Sequence, residues 1–205
     1  MAQRTFAYRR LHSLLGIIPI GVFLIQHLLI NYFAVYGEER FNGAVAFMEN
    51  LPLLIVLEIV LIYLPLLYHA ILGTYIAFTS KNSLARYGYF RNWMFDLQRL
   101  TGLIAFVFIA WHVWQTRIQI GLGHAELNYG FMAGILASPV AFWLYAISIL
   151  AISFHFSNGL WSFLVTWGIT QSARSQKAAT YVTLALFAGV AYVGIRALVR
   201  FSYGI

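Results

Sequence analysis

The chain has no cysteine, four prolines and only 9% charged residues among its 205. Without cysteine it can form no disulfide, hold no iron–sulfur cluster and offer no thiolate to a metal. Any redox chemistry it carries must therefore use imidazole. The shortage of charge, with 61% hydrophobic residues and a mean hydropathy of +0.78, excludes an ordinary soluble domain, because so apolar a chain needs lipid as its main solvent. Acids number six, against thirteen lysines and arginines, for a net charge of +7.

What is present is a set of long uncharged runs: 11–37, 50–80 with Glu58 as the single interruption, 100–116, 127–173 and 178–195. Runs of this length cross a bilayer as helices. The fold class expected is an all-α integral membrane protein, one membrane domain over 1–205, with five helices at about 11–36, 52–80, 97–120, 139–171 and 177–202. The fourth run is too long for one crossing, and Ser138-Pro139-Val140 supplies the break, leaving 127–137 for the outer interface. The basic start MAQRTFAYRRLHSLLG precedes an apolar run longer than a signal-peptide core, so a retained first helix is expected.

Nine of the thirteen cations fall in the N-terminal segment (Arg4, Arg9, Arg10), the second loop (Lys81, Arg86, Arg91, Arg99) and the fourth (Arg174, Lys177). The positive-inside rule then places the N-terminus in the cytoplasm and the C-terminus outside, and the first four helices are expected to form the bundle. The loop KNSLARYGYFRNWMFDLQR, 81–99, mixes four cations with five aromatics, which suits a protein interface and also an ordinary aromatic belt. No nucleic-acid partner is expected.

Histidine is distributed with a period. FLIQHLL centres on His27, LLYHAI on His69, IAWHVW on His112 and SFHFSN on His155, at intervals of 42, 43 and 43 residues. Each of the first four helices carries one; the fifth carries none. Successive helices run in opposite directions at about 1.5 Å per residue, which puts His27 and His112 together in the outer half and His69 and His155 together in the inner half. In a hydrocarbon core of about 30 Å the two levels differ by roughly 15 Å. Two imidazoles facing across a four-helix core are what a six-coordinate haem iron needs, and the four methionines lie near helix ends or in loops, so two bis-histidine haems are expected.

Other residues share the histidine faces. Gly73 and Gly159 each follow a histidine by one turn and are expected to let a haem edge approach the backbone. Arg9, His12, Ser13 and Gly16 fall within about 60° of His27 at 100° per residue, and Gln98 and Thr101 share the His112 face. All but Gly16 are candidate propionate contacts at the cytoplasmic mouth, with interfacial anchoring as the alternative. His12 and His124 are expected outside the core. Glu58, eleven residues before His69, is the only acid well inside a span; it is a candidate for proton transfer, against the reading of a snorkelling interfacial acid.

The segments RRLHSLLGIIPIGVFLIQHL, LPLLYHAILGTYIAFT and YFRNWMFDLQRLTGLIAFVFIAWH, with HFSNG at 155–159, resemble the dihaem cytochrome b558 membrane subunits of Bacillus-type succinate dehydrogenase (complex II). The resemblance runs through nearly the full length, least distinctly at 121–137 and in the fifth helix. It implies a multi-pass subunit of a bacterial cytoplasmic membrane, partnered by a succinate-oxidising flavoprotein and an iron–sulfur subunit, with menaquinone as acceptor. It further implies a higher-potential inner haem on His69 and His155, a lower-potential outer haem on His27 and His112, and quinone near the outer one, where Glu58 is the candidate acid. Two rival readings share the helices and histidines. One is a cytochrome b subunit of a hydrogenase or formate dehydrogenase; the other is a histidine-lined transporter, which usually needs several intramembrane acids.

Overall fold

A computed structural model describes residues 2–81, 84 and 86–205, with side chains from Thr5 onward. The side chain of Arg4 and loop residues 82, 83 and 85, part of the basic loop above, lie outside the described residues. Among the described residues, five helices are long and apolar enough to cross a membrane: α1 (Thr5–Tyr36), α3 (Leu54–Thr79), α4 (Phe90–Gly121), α6 (Pro139–Thr166) and α7 (Ala173–Tyr203). Two short helices, α2 (Glu38–Glu49) and α5 (Tyr129–Leu136), lie at one end between spans. The helical backbone continues past the uncharged runs, so α4 begins at Phe90 and takes in Arg91, Asp96 and Arg99. Charge at a membrane interface limits the apolar run without ending the hydrogen-bond ladder.

Local chemistry explains most of the irregularities. In α1 the ladder loses one bond at Pro19, which has no N–H to give, while Ile18 still donates to the Leu14 carbonyl at 2.9 Å. The helix ends at Gly37, whose φ of 116° favours glycine. In α3 the turn Glu58–Tyr63 widens to π geometry just ahead of Pro65. A second wide turn, Trp114–Ile118 in α4, lies where Thr116 Oγ1 donates to the His112 carbonyl at 2.6 Å, a side-chain bond inserted into the ladder. Asn128 caps α5, Ser172 and Ser175 form a capping box for α7, and Gly204 at φ 72° terminates α7.

Helices α1, α3, α4 and α6 pack as a ring of four, with α1 opposite α4 and α3 opposite α6; α7 lies outside against α6 and α1. The outward faces of these helices remain apolar and exposed, as lipid contact requires. At the end where α2 and α5 lie, Phe41, Val45, Met132 and Leu136 bury against Ala34, Leu198 and Phe201. Helix α7 is held by close approach: a Cβ at Gly194 would meet Ile149 Cγ2 at 2.7 Å, whereas one at Gly189 would meet nothing within 4 Å. Gly194→Leu should therefore destabilise the chain by about 1–3 kcal/mol, and Gly189→Leu should not, in thermal melts of the detergent-solubilised protein.

Candidate haem-binding core

The structure brings the four span histidines together in two pairs across the diagonals of the ring. His69 of α3 faces His155 of α6 with ring centroids 6.1 Å apart and an interplanar angle of 88°. His27 of α1 faces His112 of α4 at 5.9 Å and 76°. A metal ion holding two imidazoles in line at about 2 Å each puts their ring centres about 6 Å apart, so both pairs have the spacing of axial ligands. Among the described residues no group of three or more His, Cys, Asp or Glu side chains could hold a bare ion. A two-nitrogen set suits a cofactor that brings its own equatorial ligands, as a porphyrin does.

The inner pair is fastened by the backbones of neighbouring helices, α1 for His69 and α4 for His155. His69 Nδ1 donates to the His12 carbonyl at 3.0 Å, and His155 Nδ1 donates to the Gln98 carbonyl at 3.0 Å. A ring whose Nδ1–H is used in this way presents Nε2 with a free lone pair. The approach is open because the residue one turn further along each helix is glycine. A Cβ at Gly16 would lie 2.5 Å from His69 Cε1, and one at Gly102 would lie 2.8 Å from His155 Cε1. The two arrangements are copies of one another, since His12 and Gln98, Gly16 and Gly102, His69 and His155, and Gly73 and Gly159 are each 86 positions apart.

That symmetry changes the account of several polar residues. Gly73 and Gly159, expected to face a macrocycle, have other neighbours: a Cβ at Gly73 would lie 3.0 Å from His12 Nε2, and one at Gly159 would lie 3.3 Å from Gln98 Nε2. His12 is inside the bundle and not at its mouth, stacked on His69 at 4.0 Å and 8° with its Nε2 buried and unpartnered. Gln98 donates to the His155 carbonyl at 2.9 Å and accepts from Asn158 at 2.8 Å. Thr101 donates to the Leu97 carbonyl of its own helix at 2.6 Å. Ser13 donates to the Arg10 carbonyl and accepts from Trp167 Nε1 at 3.1 Å. Of the expected propionate contacts only Arg9 presents an exposed side chain; the others are occupied within the bundle or walled in by it.

The outer pair is held by side chains. His112 Nδ1 lies 3.0 Å from the Tyr145 hydroxyl, which donates onward to Gln115 Oε1 at 3.2 Å, so the hydroxyl accepts from the imidazole. Phe108 stacks on His112 at 5.7 Å and 12°. His27 Nε2 is approached by Asn31 Nδ2 at 3.4 Å, and the same amide donates to the His27 carbonyl at 2.9 Å. His124 is exposed and paired with Gln119.

Glu58 is not a lone intramembrane acid. Arg117 binds its Oε2 through Nη2 at 2.8 Å and Nε at 3.1 Å, joining α3 to α4. Both partners sit in the two wide turns, which face each other. Gly16's seating role, Gly102, Tyr145 and Arg117 escaped the sequence reading; the offset of 86 positions would have pointed to the two glycines.

Comparison with known proteins agrees with this architecture. The model of the succinate dehydrogenase/fumarate reductase transmembrane subunit family matches residues 79–193. The succinate dehydrogenase cytochrome b558 subunit of Bacillus subtilis (strain 168) is 56% identical over 199 residues, 97% of this chain and 98% of that protein. The resemblance read from the helix and histidine segments is thereby borne out. A pattern shared over nearly the whole length, on five apolar helices, places the chain in the succinate dehydrogenase/fumarate reductase transmembrane subunit family, as a cytochrome b subunit forming the membrane part of complex II.

Proposed function

We propose that the chain holds two b haems, one between His69 and His155 and one between His27 and His112, and connects cytoplasmic succinate-oxidising subunits to menaquinone. The observation that carries this is the pair of imidazole sets at 6.1 and 5.9 Å. When bound, the haems supply one-electron transfer across the bilayer between an iron–sulfur partner and quinone. The protein's part is orientation. The carbonyls of His12 and Gln98 set the rotation of the inner rings, Gly16 and Gly102 admit them, and Tyr145 sets the rotation of His112.

The N-terminal end of the bundle is taken as cytoplasmic. Nine of thirteen cations lie at that end, whereas five of six acids, Glu38, Glu39, Glu49, Glu58 and Glu126, lie at the other. The basic end also exposes Tyr87, Tyr89, Phe90 and Trp93, with Arg86 over the Tyr87 ring at 5.4 Å. This surface is assigned to the iron–sulfur and flavoprotein partners. Arg91 was expected to join it, but its guanidinium turns inward over Trp161 at 3.5 Å and donates to Thr180.

At the outer end Glu58 and Arg117 are the charged pair inside the bundle, Arg117 lying five residues beyond His112 on α4. Menaquinone is assigned to this neighbourhood, with Glu58 relaying protons from the outer side, two of which accompany the two electrons of each quinone reduction.

Three outcomes test the reading. Pyridine haemochrome assay should give close to two haems per chain; His27→Leu and His112→Leu should remove one spectral component, and His69→Leu and His155→Leu the other. A single haem, or loss of the same component from His27→Leu and His69→Leu, would show the pairing to be wrong. Arg86→Glu with Tyr89→Ala should weaken copurification of the soluble partners several-fold while both haem spectra persist; undiminished copurification would move the interface elsewhere. Glu58→Gln should keep both haem spectra and slow quinone-linked turnover by about tenfold or more, with transfer to an artificial acceptor unchanged. Recovery of turnover in Glu58→Gln/Arg117→Gln would instead make the pair a structural bridge, because the second change relieves a stranded cation.

A further inference from the structure

Away from the histidine core, a polar cleft opens where α4, α6 and α7 meet at the basic end. Its atom-free space, open solvent included, is ≈ 270 Å³, so it is a partly open surface groove and not an enclosed cavity. Arg91 stands at its mouth. The guanidinium rests on the Trp161 ring and donates to the Thr180 hydroxyl, and among the described residues no carboxylate lies within ion-pair distance of it. A half-buried cation beside lipid, without a counter-ion, is a site that favours an anion.

Two further donors converge there. Arg91 lies in the first turn of α4, whose N-cap Tyr89 makes no side-chain cap; the Asn92 and Trp93 N–H groups bond the Tyr89 carbonyl, so the N–H groups ahead of Asn92, with the dipole of that 24-residue α-helical stretch, are what this end offers a ligand. Ser157, 2% exposed, lines the pocket and its hydroxyl has no partner. Exposed Tyr89 and Trp93 place this level at the rim of the bundle, where headgroups adjoin the surface assigned above to the soluble partners. Below it the groove wall becomes apolar, with Phe154, Leu184 and Phe187.

We propose that this cleft binds one anionic phospholipid of the adjoining leaflet, its phosphate held by Arg91 and the uncapped start of α4 and an acyl chain lying along Phe154, Leu184 and Phe187. A cation at headgroup depth, free donors around it and an apolar track running toward the bilayer centre match the three parts of such a lipid in order. A free phosphate would use the first two and leave the track empty. The bound lipid would tie α7, which carries no histidine, to α4 and α6 through a ligand as well as through protein contacts.

The test is lipid retention by the purified full-length haem protein, read by native mass spectrometry after exchange from phosphatidylcholine into mixtures containing phosphatidylglycerol. The wild type should retain one phosphatidylglycerol. Arg91→Gln should weaken retention about tenfold, the scale of one charge-assisted contact, while helical circular dichroism and haem spectra stay unchanged. Leu184→Trp, which leaves the cation in place and fills the track, should weaken it as well, and it decides the question alone if Arg91→Gln does not fold. Retention unchanged in both variants, equal retention of phosphatidylcholine, or displacement of the lipid by inorganic phosphate would overturn the proposal. Retention is measured without turnover, so failure here leaves the haem assignment standing, and failure of that assignment leaves this one standing.

Discussion

An imidazole inside a bilayer has a polar N–H that lipid cannot satisfy, and the rest of this protein is arranged around where that N–H goes. For the inner pair it goes to a helical carbonyl on the neighbouring helix, at 3.0 Å in both cases. A carbonyl within a helix already accepts the bond of its own ladder and has a second lone pair to give. That lone pair is normally shielded by side chains one turn along, and Gly16 and Gly102 remove the shield. One bond therefore fixes the ring rotation, the side of the ring that faces inward and the distance between two helices.

The same unit occurs twice, 86 positions apart, and the departures from symmetry are informative. Gln98 uses both ends of its amide, toward His155 and Asn158, and so locks α4 to α6. Its counterpart His12 cannot form that set, stacks on His69 instead and leaves Nε2 without a partner. The outer pair has no carbonyl clasp of this kind: His112 relies on the chain through Tyr145 to Gln115, and His27 meets the amide of Asn31. The two halves of the core are thus built by different means, backbone on one side and side chain on the other. That difference gives two chemically similar imidazole pairs different surroundings.

The ends of the bundle diverge as well. The basic end carries exposed aromatics and an open cleft at Arg91, suited to soluble partners and lipid headgroups. The acidic end is covered by α2 and α5 and contains the Glu58–Arg117 bridge between two wide turns. A wide turn turns side chains off the regular face of a helix, which is how an acid and a cation on separate spans come to face each other.

The helix number, their antiparallel order and the grouping of His27 with His112 and His69 with His155 were legible along the chain, because hydrophobic length and rise per residue fix depth without any knowledge of packing. The break at Ser138–Pro139 was legible for the same local reason, since proline opens α6. Azimuth was not. Which glycine lies under which imidazole depends on how two helices face each other: sequence spacing puts Gly73 and Gly159 beside a cofactor, and the structure sets them against His12 and Gln98. Helical phase from a uniform 100° step also fails across a kink or a π turn. His12 and Arg117 both lie near such irregularities, and only the folded chain decided that one would stack on His69 and the other would bind Glu58. Depth is a one-dimensional property that a membrane imposes on sequence; neighbours are a three-dimensional property that only packing decides.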